Sequence, residues 1–498
     1  MSLAPSFGRQ QGAAAFAWTR GSALAAFAAA LAWTALLRWP FRDYGNFDVG
    51  FFTTVSWLWL KGLPPYLYAF DVKPPGYFAA LAVSEMVFGA TPFAQQAIGA
   101  LADAVTCLLL FQIARKMGAP RAGVFAAMLY PLFSQVGVAN DGYSLLIALS
   151  TLGVALALSA LRVPRAALLS GLALGAAGMV KQTAALDAAA ALVILMFNPD
   201  LKGKRLRSAV EFGAGLAAFP LLTLAYFAEA GGLGLFFEDV VGTALRRPGA
   251  ASDGATVIGG FSRLWLYLPN FAPALQIAPL TILLQRRLKL ASFEALALSL
   301  WFLATLAGVV AQRAIMSCYV GPALPSALLL CGLGVAAIWP KESSLLRLAP
   351  WGAAALAAAE LTRAFQVAAP RERVDYPALE AAAAVIQAAG PRRDDRLYVI
   401  NAPPEAVWTY VLSDVLPVSR HLIPSQSLSA FPGVGPERIR ESFALRPRFV
   451  VTSAHYKPEW HDLPGAREIA ETGLTANYER LAEVGSGWDA LDVYERRP

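Results

Sequence analysis

Residues 42–52, Arg-Asp-Tyr-Gly-Asn-Phe-Asp-Val-Gly-Phe-Phe, and residues 71–78, Asp-Val-Lys-Pro-Pro-Gly-Tyr-Phe, are two polar islands in a chain that is otherwise strongly apolar. Over 498 residues the chain is 57% hydrophobic and only 15% charged, with a mean hydropathy of +0.51. That balance excludes an ordinary soluble protein and reads as a polytopic α-helical membrane protein. Holding a carboxylate at a bilayer surface costs desolvation energy unless it has a partner or a task. Asp43 and Asp48 are therefore functional candidates, with a solvated loop as the alternative.

Outward from these islands, apolar runs recur through roughly the first 365 residues, closed by Gly, Pro or basic clusters. Their length, about 15 to 22 residues, suits a hydrocarbon core about 30 Å thick. The runs predict spans near 21–38, 94–113, 122–138, 143–161, 166–180, 184–197, 208–228, 264–284, 293–311, 317–338 and 348–365, or about eleven helices. The first run follows a polar N-terminus and lacks a small-residue cleavage site, which reads as a retained helix. Two further segments, 49–60 with Trp57 and Trp59 and 76–90 behind Pro74 and Pro75, read as interfacial helices in the first extracytoplasmic loop, with a short span at 76–90, which would change the parity of everything downstream, as the alternative.

The net charge of +7 would suggest nucleic acid in a soluble chain, but the basic residues cluster in alternate short loops. Arg115, Lys116 and Arg121, then Arg162 and Arg165, then Lys202 to Arg207, then Arg286, Arg287 and Lys289 mark cytoplasmic turns by the positive-inside rule. No nucleic-acid partner is implied. With that orientation Asp43, Asp48, Asp71, Lys73, Asn140, Asp141, Lys181, Gln182, Glu238, Asp239, Arg246, Arg247, Arg263 and Arg313 converge on the extracytoplasmic side. Carboxylates mixed with cations suit transfer from a phosphate-linked donor: a carboxylate takes the acceptor's proton, and Lys or Arg neutralises the departing phosphate.

Within that set, Arg246-Arg247-Pro248 sits in a long Gly- and Ala-rich loop that could order over substrate or stay a plain solvated loop. Lys181-Gln182-Thr183 separates two short spans and reads as cavity lining, with a snorkelling Lys181 as the alternative. Cys107, Cys318 and Cys331 read as packing residues rather than a disulfide framework. His421, His455 and His461 match no common metal motif, and no P-loop sequence is present. A metal is not assigned, and a divalent cation is left open.

From about residue 375 the pattern turns to that of a small soluble α/β domain. Helices are expected at 378–388 and 405–410, and strands at 396–400, 448–452, 478–484 and 490–496. The division is a cytoplasmic N-terminus at 1–20, a membrane domain at 21–365 and an extracytoplasmic domain at 366–498.

These residues resemble the polyprenyl-phosphate-sugar-dependent membrane glycosyltransferases of the GT-C fold, of the protein O-mannosyltransferase and lipid A aminoarabinose transferase kind. Four stations carry the resemblance: Phe47-Asp48-Val49-Gly50-Phe51, Lys73-Pro74-Pro75-Gly76, Asp141, and Arg313 with Tyr319, Pro322 and Pro325. Val49 stands where the family has Glu, and Ser317-Cys318 where many relatives have His. The resemblance implies Asp48 as catalytic base or acceptor-orienting group, Asp141 in support, and Lys73 with Arg313 on the donor phosphate. Asp43, Lys181, Gln182 and Tyr319 join as substrate-binding candidates, and Arg246 and Arg247 as further phosphate ligands.

The expected activity is inverting transfer of a hexosyl or pentosyl group from a polyprenyl-phosphate donor to a lipid, glycan or protein acceptor. The expected location is a bacterial inner membrane, with membrane lipids as further partners and the C-terminal domain outside the cytoplasm. A transporter or flippase for a lipid-linked or anionic substrate is the alternative. A protein that only binds the carrier phosphate is a third reading. No internal repeat favours the transporter.

Overall fold

A computed structural model describes residues 20–43, 47–134, 142–159, 165–243, 245, 277–288, 290, 292–311, 317–338, 376–400, 402–423, 435–453, 466–486 and 490–498. The chain divides into two compact units. One comprises Met1–Arg42, Gln96–Ala225 and Asp253–Ala369; the other comprises Asp43–Gln95, Tyr226–Ser252 and Pro370–Pro498.

The helices that follow the apolar runs are α1 (Arg20–Arg38), α4 (Pro92–Lys116), α5 (Pro120–Ser134), α6 (Tyr143–Ala157), α7 (Ala166–Val180), α8 (Ala184–Phe197) and α9 (Arg205–Glu229), then Phe293–Ala311 and Leu324–Ile338. Five described stretches, Gly21–Phe41, Pro92–Lys116, Arg205–Glu229, Phe293–Ala311 and Tyr319–Ala337, are long and apolar enough to cross a membrane. At about 1.5 Å per residue, α6, α7 and α8 fall short of a 30 Å core by length alone. The expected span 348–365 and most of 264–284 lie outside the described residues.

In the first unit, α6 packs on α7 and α8, α8 on Phe293–Ala311, and α5 on Leu324–Ile338. Between apolar helices in lipid, close backbone approach replaces the hydrophobic driving force available in water. The α7–α9 crossing shows this: a Cβ on Gly171 would collide with the Phe212 carbonyl, and one on Gly215 with that of Leu168. Pro220 lacks the N–H that would bond the Leu216 carbonyl four residues back. Gly175 lets α7 approach that carbonyl, where an added Cβ would lie 2.5 Å from the oxygen.

Polar groups pin the same unit from within. Arg38 Nε and Nη2 donate to Asp103 Oδ2 at 3.0 and 2.8 Å, while Nη1 reaches Gln96 Oε1 at 3.0 Å and Nη2 also reaches Ser144 Oγ at 2.7 Å. Tyr130 donates to Asp103 Oδ1 at 3.1 Å, so one buried ion pair joins α1, α4, α5 and α6. Asp187 on α8 accepts from Trp301 Nε1 at 3.1 Å and Thr305 Oγ1 at 2.7 Å.

In the second unit, α2 (Phe47–Leu60) and α3 (Gly76–Phe88) are the two short helices of the first loop. Most of α2 is buried, against α3 and the segment Pro404–Ser413. Gly50 is required at that contact, since a Cβ would sit 2.5 Å from Trp408 Nε1 and 2.9 Å from Val407 Cγ1. Lys61, just past α2, pairs with Asp414 at 2.7 Å.

The same unit holds a five-stranded sheet of order β2-β1-β3-β5-β4, built from β1 (Arg396–Val399), β2 (Leu416–Pro417), β3 (Phe449–Thr452), β4 (Tyr478–Val484) and β5 (Leu491–Arg496). β1 runs parallel to β2 and β3, and β5 antiparallel to β3 and β4. Phe-Val-Val-Thr of β3 is buried at every position, as a central strand covered on both faces must be. Edge strand β4 carries Glu479, Arg480 and Glu483 outward, which deters pairing with other strands. Helix Tyr376–Ala388 lies where the sequence places it, and the helix expected at 405–410 is a 3-10 turn, Pro404–Val407, followed by the α-helix Trp408–Ser413. The short β2 and the helices Gly435–Ala444 and Ala466–Asn477 are additions that the sequence reading lacks.

Candidate active site

Asp48 occupies the first turn of α2, where unsatisfied backbone N–H groups favour an anion, and it is half-buried. Asp71 lies close enough for the Asp48 charge to act on it. Asp71 is buried, and its Oδ1 accepts from the Lys73 backbone N–H at 2.7 Å. Burial above all, with the Asp48 charge adding, holds the Asp71 carboxyl above its ordinary range, against the Lys73 charge and backbone bonds from Lys73 and Val72. The Lys73 ammonium lies 4.5 Å from the centroid of the Phe52 ring on α2. Asp48, Asp71 and Lys73 thus form one cluster.

The loop that carries Lys73 is fixed at both ends of the residue. Its N–H is held by Asp71, and its carbonyl accepts from the Tyr66 hydroxyl at 2.7 Å. Pro74 and Pro75 follow, with φ restricted and no N–H to offer, and α3 starts at Gly76. Tyr66 is fully buried against Phe227 and Phe236, with ring centroids at 5.1 and 5.4 Å. Its φ of +66° is in the left-handed region that a Tyr adopts at a cost in energy.

Two residues from distant parts of the sequence close this cluster. Arg420 donates through Nη1 to the Tyr66 carbonyl at 2.9 Å and to Asp239 Oδ2 at 2.6 Å, and through Nη2 to Asp239 Oδ1 at 3.2 Å. Burial pushes Asp239 up to about 6, helped by Glu238 and Asp71 and opposed by Arg420. Neither Tyr66 nor the Arg420–Asp239 pairing was singled out by sequence reasoning. Asp239 was noted only as one of many polar residues, because its partner is 181 positions away.

The first unit carries a separate cationic cluster. Lys181, in the break between α7 and α8, is buried with its ammonium 4.0 Å from the Tyr143 ring and 4.2 Å from the Tyr319 ring, and it donates to the Tyr143 hydroxyl. Lys181 and Tyr319 are thus brought together, while Gln182 beside them is exposed. Tyr143 was not foreseen as a partner; its signal was an aromatic opening a span directly after Asp141-Gly142.

Asp43 is exposed. The candidates Asp141, Arg246, Arg247 and Arg313 lie outside the described residues, as do Asn140 and Arg263. Among the described residues, no three or more His, Cys, Asp or Glu side chains are grouped to hold a metal ion.

Residues 72–226 match the family described as dolichyl-phosphate-mannose-protein mannosyltransferase. No curated protein matches the chain by sequence. Among solved structures, ArnT from Cupriavidus metallidurans bound to undecaprenyl phosphate is 16% identical, with 96% of this chain and 98% of that one covered and a TM-score of 0.64. The archaeal oligosaccharyltransferase AglB from Archaeoglobus fulgidus, in complex with an inhibitory peptide and a dolichol-phosphate, is 14% identical, with 86% and 69% covered and a TM-score of 0.53. The chain has the GT-C fold, with a small C-terminal sheet domain, and the family match covers residues 72–226 of it.

Proposed function

We propose that this GT-C protein transfers a sugar from a polyprenyl-phosphate carrier to an acceptor outside the cytoplasm. The observation that carries the reading is the cluster of Asp48, Asp71 and Lys73 in the first loop. In the reaction, an acceptor O–H or N–H attacks the anomeric carbon as its proton passes to Asp48. The bond from that carbon to the carrier's phosphate oxygen breaks in the same displacement, inverting the centre. Lys73 takes up the charge that develops on the departing phosphate. Asp71 orders the Lys73 backbone.

Lys181, framed by Tyr143 and Tyr319, stays a substrate-binding candidate. Asp141, Arg246, Arg247 and Arg313 keep the roles that the family resemblance and the loop reading give them, and Asp43, Gln182 and Tyr319 stay substrate-binding candidates. The matched ArnT is bound to undecaprenyl phosphate and the matched AglB to a dolichol-phosphate, which supports a carrier of that class here. A bacterial inner membrane and an extracytoplasmic residue range 366–498 complete the proposal.

The test is incubation of the full-length protein with a panel of polyprenyl-phosphate sugars and a native membrane extract, following release of polyprenyl phosphate. Wild type should release carrier from at least one donor, and Asp48→Asn should lower the rate by about 10²-fold or more, the usual worth of a general base. Release that is undiminished in Asp48→Asn refutes the base. The absence of release from every donor by folded wild-type protein refutes the transferase reading.

A further inference from the structure

Arg420 belongs to the C-terminal sheet domain, yet three of its contacts are to the loop that carries Lys73. Besides the bond to the Tyr66 carbonyl, the Arg420 carbonyl accepts from the Phe70 N–H at 2.7 Å, and its guanidinium lies 5.6 Å from the Phe70 ring centroid. Phe70 directly precedes Asp71, whose carboxylate holds Lys73. Tyr66 holds the Lys73 carbonyl. One arginine therefore touches both residues that lead into the Lys73 backbone restraints.

The base from which Arg420 acts is rigid. Val418 N–H donates to the Leu397 carbonyl at 2.9 Å, continuing the β1–β2 pairing. The Tyr410 hydroxyl accepts from Val399 N–H at 3.1 Å and donates to the Leu422 carbonyl at 2.9 Å, so the chain on both sides of Arg420 is tied to strand β1. On the other side, Asp239 fixes the guanidinium through two bonds while its carboxylate is buried. A guanidinium forked between a carboxylate and a backbone carbonyl has a defined position that a flexible ammonium lacks.

We infer that Arg420, oriented by Asp239, is a positioning residue for Lys73, and that the C-terminal domain serves to set the phosphate-binding loop through Tyr66 and Phe70. This inference rests on the proposed function for the role of Lys73, while the positioning itself is measurable without turnover. The domain then acts on donor binding rather than on the acceptor.

The experiment uses the full-length protein and the variants Arg420→Gln, Arg420→Lys and Asp239→Asn. The first readout is the rate of Lys73 acetylation by an amine reagent, followed by mass spectrometry, with Lys181 as internal reference. Arg420→Gln should change the Lys73 rate several-fold and leave Lys181 unchanged, with Arg420→Lys intermediate. The second readout is donor KM against kcat at saturating donor: Arg420→Gln should raise KM about tenfold, the equivalent of one hydrogen bond to a charged group, with a smaller effect on kcat.

A third readout is pH. Asp239 is faced by Arg420, Glu238, Asp71 and Tyr66. Protonation of Asp239 weakens its hold on Arg420, so wild-type donor KM should rise as pH falls through about 6. The donor's phosphodiester has no second ionisation in that window. Asp239→Asn should have a raised KM without that limb; a limb that persists belongs to another group, such as Asp71, and overturns the role of Asp239.

If the Lys73 labelling rate and donor KM of folded Arg420→Gln both equal wild type, and only thermal stability falls, Arg420 is structural and the inference is overturned. If labelling responds as expected but wild type turns over no donor, the positioning stands and the transferase reading fails.

Discussion

The Tyr66 hydroxyl donates to the Lys73 carbonyl oxygen at 2.7 Å, from a residue that is fully buried and has a left-handed backbone. A non-glycine residue in that region costs of order 1–3 kcal/mol, and persists where its surroundings over-determine it. Here they do: the Tyr66 amide donates to the Ala69 carbonyl at 2.8 Å, its carbonyl accepts from Arg420 at 2.9 Å, and its ring packs on Phe227 and Phe236.

Removing only the hydroxyl isolates that clamp. Tyr66→Phe keeps the aromatic packing but leaves the Lys73 carbonyl without this donor, and should cost about 1 kcal/mol of stability. Donor KM should rise, with a smaller effect on kcat. Thermal unfolding with steady-state kinetics checks both; unchanged KM in a destabilised protein would mean that the clamp serves the fold alone.

The Arg38–Asp103 pair is an ion pair of the first unit with both side chains buried. Asp103→Asn leaves the Arg38 charge uncompensated and should destabilise by about 3 kcal/mol or more. The double change Arg38→Met with Asp103→Leu removes both charges and should recover most of that loss. Melting temperatures in one detergent measure the difference, and equal losses in the single and double variants would contradict it.

At the α7–α9 crossing, Gly171→Val drives a branched side chain into the Phe212 carbonyl, for which overpacking costs of about 1–3 kcal/mol are expected. Gly178, on the same helix, has nothing within 4 Å of an added Cβ. Gly178→Ala should therefore leave the melting temperature nearly unchanged. Since helix propensity favours both replacements over Gly, a fall of similar size at both positions would show that the close approach at Gly171 is not what sets the sensitivity.

His421 gives stability a pH dependence of known sign. Burial, then the charges of Arg420 and Arg438, push its imidazole down to about 3 from 6.5. Between those values the unfolded chain takes up a proton that the folded protein refuses, so stability falls as pH is lowered through this window. Asp239, raised to about 6 from 3.8, contributes with the opposite sign in an overlapping range. Both proteins share Asp239, so the difference between His421→Leu and wild type isolates the histidine. The variant should gain on wild type progressively as pH is lowered from about 7 to about 4; a constant difference in melting temperature would rule the histidine out as its source.

Most helices could be read from the sequence because the signal is local. Runs such as Ala166–Val180 and Phe293–Ala311 are apolar over a length that few other structures use. The strands Arg396–Val399 and Phe449–Thr452 carry β-branched and aromatic residues in short runs, and they too are where the pattern places them. Helices Gly435–Ala444 and Ala466–Asn477 carry no continuous apolar run to mark them, and their scattered apolar positions matter only once the sheet is there to receive them.

By itself the sequence determined a multi-pass membrane helical chain with a small α/β domain, a first loop bearing Asp48 and Lys73, and a likeness to GT-C enzymes. Composition and short motifs suffice for that, since membrane insertion and turn geometry depend on neighbours a few residues apart. Only the tertiary structure decided that Arg420 meets Asp239 and Tyr66, that Lys181 is framed by Tyr143 and Tyr319, and that Arg38 is answered by Asp103. Such pairings join residues far apart in the chain, and the cost of burying each polar group is offset only by its partner's attraction and hydrogen bonds. No local pattern encodes which buried charge will find which partner.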